Sequence, residues 1–356
     1  MANDENFVSV LQAENSLLFV RKKGTINQAT TVEIYDVQTP AKLVHLSSYS
    51  AGDRAVAALE LHESLAYILC HGDDEPYWTL TIINLSDPAN PQEVGQYNSP
   101  DEELPLDFTL YQQSAYVVTD YSFEIIDLST PSHPVKVANY SYPAGQVKVE
   151  DHFAYITWEE LTILDLSDPI TPVPVGHTPI TKHTLAGMAV LLGYVVMAFW
   201  WHGLQVYNVT DPTNPTIVDN YSFPDRESAP GGTAHAIQIE GQKAVVAGRD
   251  LNIFDLSTPK NIQRVTRYLW IGREHTYSLA VSQGYIYLET EGMIRIFSFT
   301  KQQIVWSYFG AGVLVGVVIA LPVIITLLRK RYQWKKRQET EVSANLENRT
   351  EEKAKR

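Results

Sequence analysis

The chain of 356 residues has a single cysteine, Cys70, so it forms no internal disulfide and no cysteine-rich metal site. It has no CxxC pair, no HExxH, no GxSxG and no glycine-rich phosphate loop. The usual sequence signals of thiol redox, zinc protease, serine hydrolase and nucleotide chemistry are therefore missing. Before residue 304 no stretch keeps a helical period free of Pro or Gly, which excludes a helical body. Positive charge is scarce outside the C-terminus. The net charge is −14, yet Arg329–Arg356 carries ten Lys/Arg against five Asp/Glu and is +5, leaving −19 on the rest. So acidic a body argues against nucleic acid as a partner and against docking on anionic lipid.

What the chain does have is repetition. A short β-branched run ending in Asp or Asn, then Leu or Val, a polar pair and Pro recurs at Ile34–Pro40, Ile82–Pro91, Ile125–Pro134, Ile163–Pro172, Val206–Pro215 and Ile253–Pro259. A weaker seventh copy lies at Ile294–Thr300, with Ser298 in the Asp/Asn position. The marker positions Asp36, Asn84, Asp127, Asp165, Asn208, Asp255 and Ser298 are spaced by 48, 43, 38, 43, 47 and 43 residues. A strand-rich period of about 40–50 residues is what one blade of a β-propeller requires. The fifth unit reads as four strands: Gly187–Val190, Tyr194–Phe199, Leu204–Val209 and Thr216–Asn220. The second reads as Ala55–Leu61, Leu65–Cys70, Trp78–Leu85 and Glu93–Tyr97. The expected fold is all-β, a seven-bladed propeller over residues 1–303, with closure of the last blade resting on an outer strand near Gln302–Trp306.

The turns have a mechanical reading. Asp or Asn at a strand end accepts backbone N–H bonds as an Asx-turn, and Pro ends the ladder because it has no donor. On this reading Asp127, Asp165 and Asp255 form turns. Cation binding would need several carboxylates converging on one ion, whereas a rim spreads them apart.

The strand before each turn reads Leu80–Asn84 (LTIIN), Phe123–Asp127 (FEIID), Leu161–Asp165 (LTILD), Leu204–Asn208 (LQVYN) and Leu251–Asp255 (LNIFD). These strands resemble the LVIVD repeat family, named for a Leu-Val-Ile-Val-Asp consensus, over roughly residues 7–303. The resemblance implies a β-propeller on a surface or exported protein of poorly defined activity, and it brings no catalytic residues. Asn84, Asn208, the first unit's Gln38 and the missing last turn depart from the pattern.

The other strong feature is Ile304–Leu328, a run of 25 residues without a charged side chain. As a helix it would extend about 37 Å, enough to cross a ~30 Å hydrocarbon core with some tilt. Trp306, Tyr308, Tyr332 and Trp334 flank it as interfacial aromatics do, and Arg329, Lys330, Arg331, Lys335, Lys336 and Arg337 follow. The expectation is a single-pass transmembrane helix at 304–328. The basic tail 329–356 is then cytoplasmic and lacks structure of its own, and the propeller lies outside. Because Met1–Asn6 is no signal peptide, that orientation calls for a signal encoded upstream. The alternative is an anchor by the tail with the propeller in the cytoplasm, which would place six closely spaced cations outside. Gly312, Gly316 and Ala320 recur every four residues and would suit a homodimer contact between spans.

For function, the units differ most on the face formed by the blade-joining loops and the loops between second and third strands. Trp200, Trp201 and His202 share one such loop, and His71–Tyr77 forms another. Arg273, Glu274 and Asp225–Glu227 add charge, and His183, His235 and His275 precede three successive innermost strands. The expected use is a docking surface for a protein or glycan ligand, without a cofactor or catalytic residues. The alternative is an extracytoplasmic metal-assisted hydrolase or lyase, with His183, His235 and His275 holding a divalent metal at the channel mouth. The histidines fall one or two residues out of register when the units are aligned.

Overall fold

The computed structural model describes residues 8–22, 29–39, 43–72, 77–142, 144–181, 184–223, 233–269, 276, 278–290, 293–298 and 304–309. These form seven four-stranded antiparallel sheets, each taking its strands in chain order. The blades cover residues 8–50, 55–99, 105–140, 146–179, 185–221, 236–269 and 279–309. The first strands of successive blades are neighbours, and the ring closes where Leu279–Ser282 of blade 7 lies beside Val8–Glu14 of blade 1.

The third strands explain the repeat. Trp78–Asn84, Phe123–Asp127, Glu160–Asp165, Gly203–Asn208 and Asp250–Asp255 are buried almost throughout. Each is packed on both faces, so apolar residues occupy most of it and the polar ones inside it, Thr81, Glu124, Thr162, Gln205 and Asn252, are buried as well. Leu161 and Ile163 point into the interface with blade 5, while Leu164 and Leu166 point into that with blade 3. The same division gives seven apolar clusters, one per blade interface.

Below each third strand the Asx-turn forms as its chemistry requires. Asp36, Asn84, Asp127, Asp165, Asn208 and Asp255 accept the N–H of the residue two further on, at 2.7–3.0 Å. The intervening Val37, Leu85, Leu128, Leu166, Val209 and Leu256 are buried against the preceding blade. Their N–H groups donate to the hairpin joining first and second strands, at 2.7–2.9 Å. One turn thus ends a strand, caps a hairpin and plugs an interface. The amides and hydroxyls of Ser167 and Ser257 hold Asp165 and Asp255 below the usual carboxylate range.

The outer strands carry a second repeat. In all seven blades the third-to-outer register slips by one residue at the same place. The residue left over is Leu46, Val94, Val137, Val175, Val218, Val265 or Val305, a β-bulge that re-aims the strand. Three residues on stands Tyr49, Tyr97, Tyr140, Thr178, Tyr221, Tyr268 or Tyr308. Gly95, just past its bulge, lies so close to the next blade that a Cβ would run into the Pro131 carbonyl.

This repeat corrects the expected membrane boundary. Ile304–Phe309, the start of the presumed span, pairs with Met293–Ser298 as the outer strand of blade 7. The bulge-and-tyrosine pattern is present there as Val305 and Tyr308. The open edge of Met293–Ser298 needs hydrogen-bond partners, and a β-branched and aromatic run supplies a strand readily. The propeller therefore passes the 303/304 boundary by six residues, and the rest of Ile304–Leu328, with Gly312, Gly316 and Ala320, lies outside the described residues. Among those described, no helix is long and apolar enough to cross a membrane.

The seam between blades 7 and 1 exchanges no strand. It is held by Ala13, Leu18, Val20, Val37 and Leu43 against Ala280, Tyr287, Ile294 and Ile296, with Gln283 Nε2 donating to Ser16 Oγ at 3.2 Å. Leu166→Ala should cost about 2–4 kcal/mol in chemical denaturation, since it empties a filled interface. Asp165→Asn should lower the midpoint only slightly, because Asn84 and Asn208 make the same turn without a charge.

Candidate functional site

Chain direction puts hairpins and Asx-turns on one face of the disc, and the blade-joining and second-to-third-strand loops on the other. On the loop face, at the corner of blades 5 and 6, the structure brings together Trp200, Trp201, His202 and His235. Tyr194–Phe199 ends in a turn in which the His202 N–H donates to the Phe199 carbonyl at 3.1 Å. The next residue, Gly203, has φ +86, and a Cβ there would meet the Tyr221 carbonyl, so glycine is required.

The Trp200 backbone is tied at both ends. Its N–H donates to Thr184 O at 3.1 Å and its carbonyl accepts the Ala234 N–H at 2.9 Å. Its ring, half-buried, packs on His235 with centroids 4.8 Å apart. The His235 N–H donates to Ala247 O at 2.7 Å, and its ring Nδ1 lies 3.1 Å from Thr276 O. A carbonyl only accepts, so that contact fixes the proton on Nδ1. Trp201 is tilted 57° to Trp200 at 6.4 Å and is 50% exposed. The result is a rigid aromatic ledge, one ring locked into the corner and the next held out in solvent.

His183, His275 and Arg273 lie outside the described residues, so of the three proposed metal histidines the structure places His235 alone. Among the described residues no group of three or more His, Cys, Asp or Glu side chains converges as a metal site. Cys70 is buried, and burial pushes its thiol up to about 12.

Two exposed aromatics escaped the sequence reading, Tyr121 and Trp158. They sit just past the second strands Ser114–Thr119 and Phe153–Thr157, where Trp200 and Trp201 stand in blade 5. Aligning the units on their second strands reveals them.

The innermost strands carry a chain of charge across blades 2 to 4. Glu60 Oε2 accepts the Leu110 N–H at 2.8 Å, and Asp107 Oδ2 accepts the Val147 N–H at 3.2 Å and Lys148 Nζ at 3.0 Å. Farther out, Glu124 on a third strand is buried with Lys136 Nζ 3.5 Å from Oε1 and no partner for Oε2 among the described residues. Burial outweighs the nearby lysines and pushes both Glu60 and Glu124 up to about 7. Glu60 and Asp107 link blade to blade, while Glu124 and Lys136 pair within blade 3. On the turn face, grooves of about 450 and 430 Å³ open beside Asp36 and Asp255, whose carboxylates are already engaged in Asx-turns.

The chain folds as a seven-bladed β-propeller whose loops gather on one face. It carries LVIVD repeats, which match residues 77–99, 108–141, 143–178 and 186–222, the third strands of blades 2 to 5 included. No curated protein matches the sequence. Solved structures share the fold at low identity. A functionally unknown protein from Desulfotomaculum acetoxidans is similar at 12% identity, TM-score 0.61, over 84% of this chain and 95% of that one. A protein from Lactobacillus plantarum is similar at 10% and 0.61, over 74% and 85%. Hsv2 of Kluyveromyces lactis is similar at 12% and 0.57, over 82% and 93%.

The raised carboxyls set a pH dependence. A folded pKa above the unfolded one means that the folded state holds more protons between about pH 4.5 and 7, so stability falls as pH rises through that window. Urea midpoints should be higher at pH 5 than at pH 8. Glu60→Gln, which keeps the acceptor for Leu110, should recover about 1–3 kcal/mol at pH 8 and flatten the profile.

Proposed function

We propose that the protein is an interaction module, a propeller that presents its loop face to a protein or glycan ligand. The observation that carries this reading is Trp201, half exposed beside a Trp200 that is locked onto His235. Large aromatics held rigidly in solvent contribute contact area at little entropic cost, which is why they dominate recognition surfaces. The turn face offers the contrast: its side chains are consumed by a local job repeated blade after blade. Arg273, His183 and His275 join the face on sequence grounds.

We also propose that the module is tethered to a membrane, with the propeller outside and the tail inside. The uncharged residues 310–328 would form a helix of about 28 Å, close to a hydrocarbon core with little tilt. The six cations that follow by Arg337 favour the cytoplasmic side for the tail, and Gly312, Gly316 and Ala320 offer a close contact between two such helices.

Two experiments test these readings. A photocrosslinking residue in place of Trp201 should trap a partner on intact cells, and one in place of Ser257 on the turn face should not; the reverse pattern refutes the loop-face reading. Protease added to intact cells should trim the propeller and spare a tag after Arg356, whereas loss of the tag with a protected propeller reverses the orientation.

A further inference from the structure

Exposed aromatic rings continue past the ledge. Among the described residues three aromatics stand in solvent, Tyr121, Trp158 and Trp201, at 65, 53 and 50% exposure. All three occupy the loop between second and third strands, in the successive blades 3, 4 and 5. The remaining exposed hydrophobics are aliphatic, mostly on outer strands or the turn face. The rings are presented on fixed backbone. The Tyr121 N–H donates to Thr119 Oγ1 at 3.1 Å, and the Trp158 N–H to Glu160 O at 3.2 Å. Three equivalent positions on neighbouring blades make an arc along the rim.

The arc is acidic. Glu102, in the loop that enters blade 3, and Glu159, next to Trp158, are exposed in loops of the same face, and exposed Leu104 adds apolar surface on blade 3, its N–H bound to Asp120 at 2.8 Å. Lys136, on the outer strand of blade 3, is engaged by Asp101 and Glu124. The chain outside the tail carries −19. Aromatic faces beside carboxylates suit cations, Arg above all, which stack on the ring and pair with the acid at once.

We infer that Tyr121, Trp158 and Trp201 form one docking arc for an extended segment of a protein partner rich in Arg and Lys. This rests on the loop-face reading and adds the chemistry of its ligand. Successive blades present one ring each, which matches an extended chain with cationic side chains at intervals and favours it over a single compact ligand.

The test uses the full-length protein in detergent, with three probes: a short peptide alternating Arg and Gly, its Glu counterpart, and the neutral hexasaccharide cellohexaose. Calorimetry should show binding of the Arg peptide, weakened by salt, and none of the other two. Combined Tyr121→Ala, Trp158→Ala and Trp201→Ala should weaken that binding by at least about tenfold. Glu102→Gln with Glu159→Gln should weaken it severalfold without touching the rings, which keeps the test valid if the triple variant unfolds. Equal binding to a folded triple variant, binding of cellohexaose in place of the peptide, or no peptide binding at all would each overturn the inference. If crosslinks at position 201 persist under any of those results, the loop face still binds and only the ligand class is wrong.

Discussion

The constraint on which the rest depends is that the third strands of blades 2 to 6 are buried on both faces. A strand in that position has no solvent side, so most of its residues are apolar and the polar ones inside it, such as Thr81, Thr162, Gln205 and Asn252, are buried too. The Asx-turn follows from this: Asp or Asn closes the strand, and the next residue turns inward to fill the interface with the preceding blade. The valine bulge and the tyrosine three residues later do the corresponding job on the outer strand, where Tyr140 donates to Ile170 O of the next blade at 3.0 Å and Tyr221 packs edge-on to Phe254 at 4.8 Å. The ring closes by the same packing, with no strand shared across the seam.

Such an architecture divides its two faces by function. On the turn face a single device is repeated with small changes, because each copy must end a strand and plug an interface. On the loop face no single job repeats from blade to blade, so the copies diverge into Tyr121, Trp158 and the Trp200–His202 corner. Rigidity is passed to these tips by backbone bonds between adjacent blades, as from Ala234 to Trp200 and from Thr276 to Gly248. Loop tips held in this way form a preorganised surface.

Much of the fold is legible in the sequence, for a physical reason. A strand buried on both sides and ended by an Asx-turn has few tolerated sequences, so its copies stay alike and their period shows. The outer-strand repeat is fainter, because one Val and one Tyr in a half-exposed strand leave the other positions open. Missing it made Ile304–Phe309 look like the beginning of a membrane helix, since an uncharged run of Ile, Val, Trp, Tyr and Phe suits either state. The site was legible only in part. Trp200 and Trp201 are adjacent and chemically identical, and what separates their roles is His235 and Thr276, tens of residues away. Glu60 and Glu124 read as ordinary strand glutamates until the blades that bury them are assembled.

The central claim is that seven equivalent packed interfaces, the unshared seam among them, hold the ring as one unit. Hydrogen–deuterium exchange of the full-length protein tests it most directly. The account predicts that amides of the third strands in all seven blades exchange slowly and together, with Thr31–Asp36 and Met293–Ser298 beside the seam as protected as Glu160–Asp165 opposite it. Earlier exchange confined to blades 7 and 1 would contradict it, and would show a ring that opens at its seam.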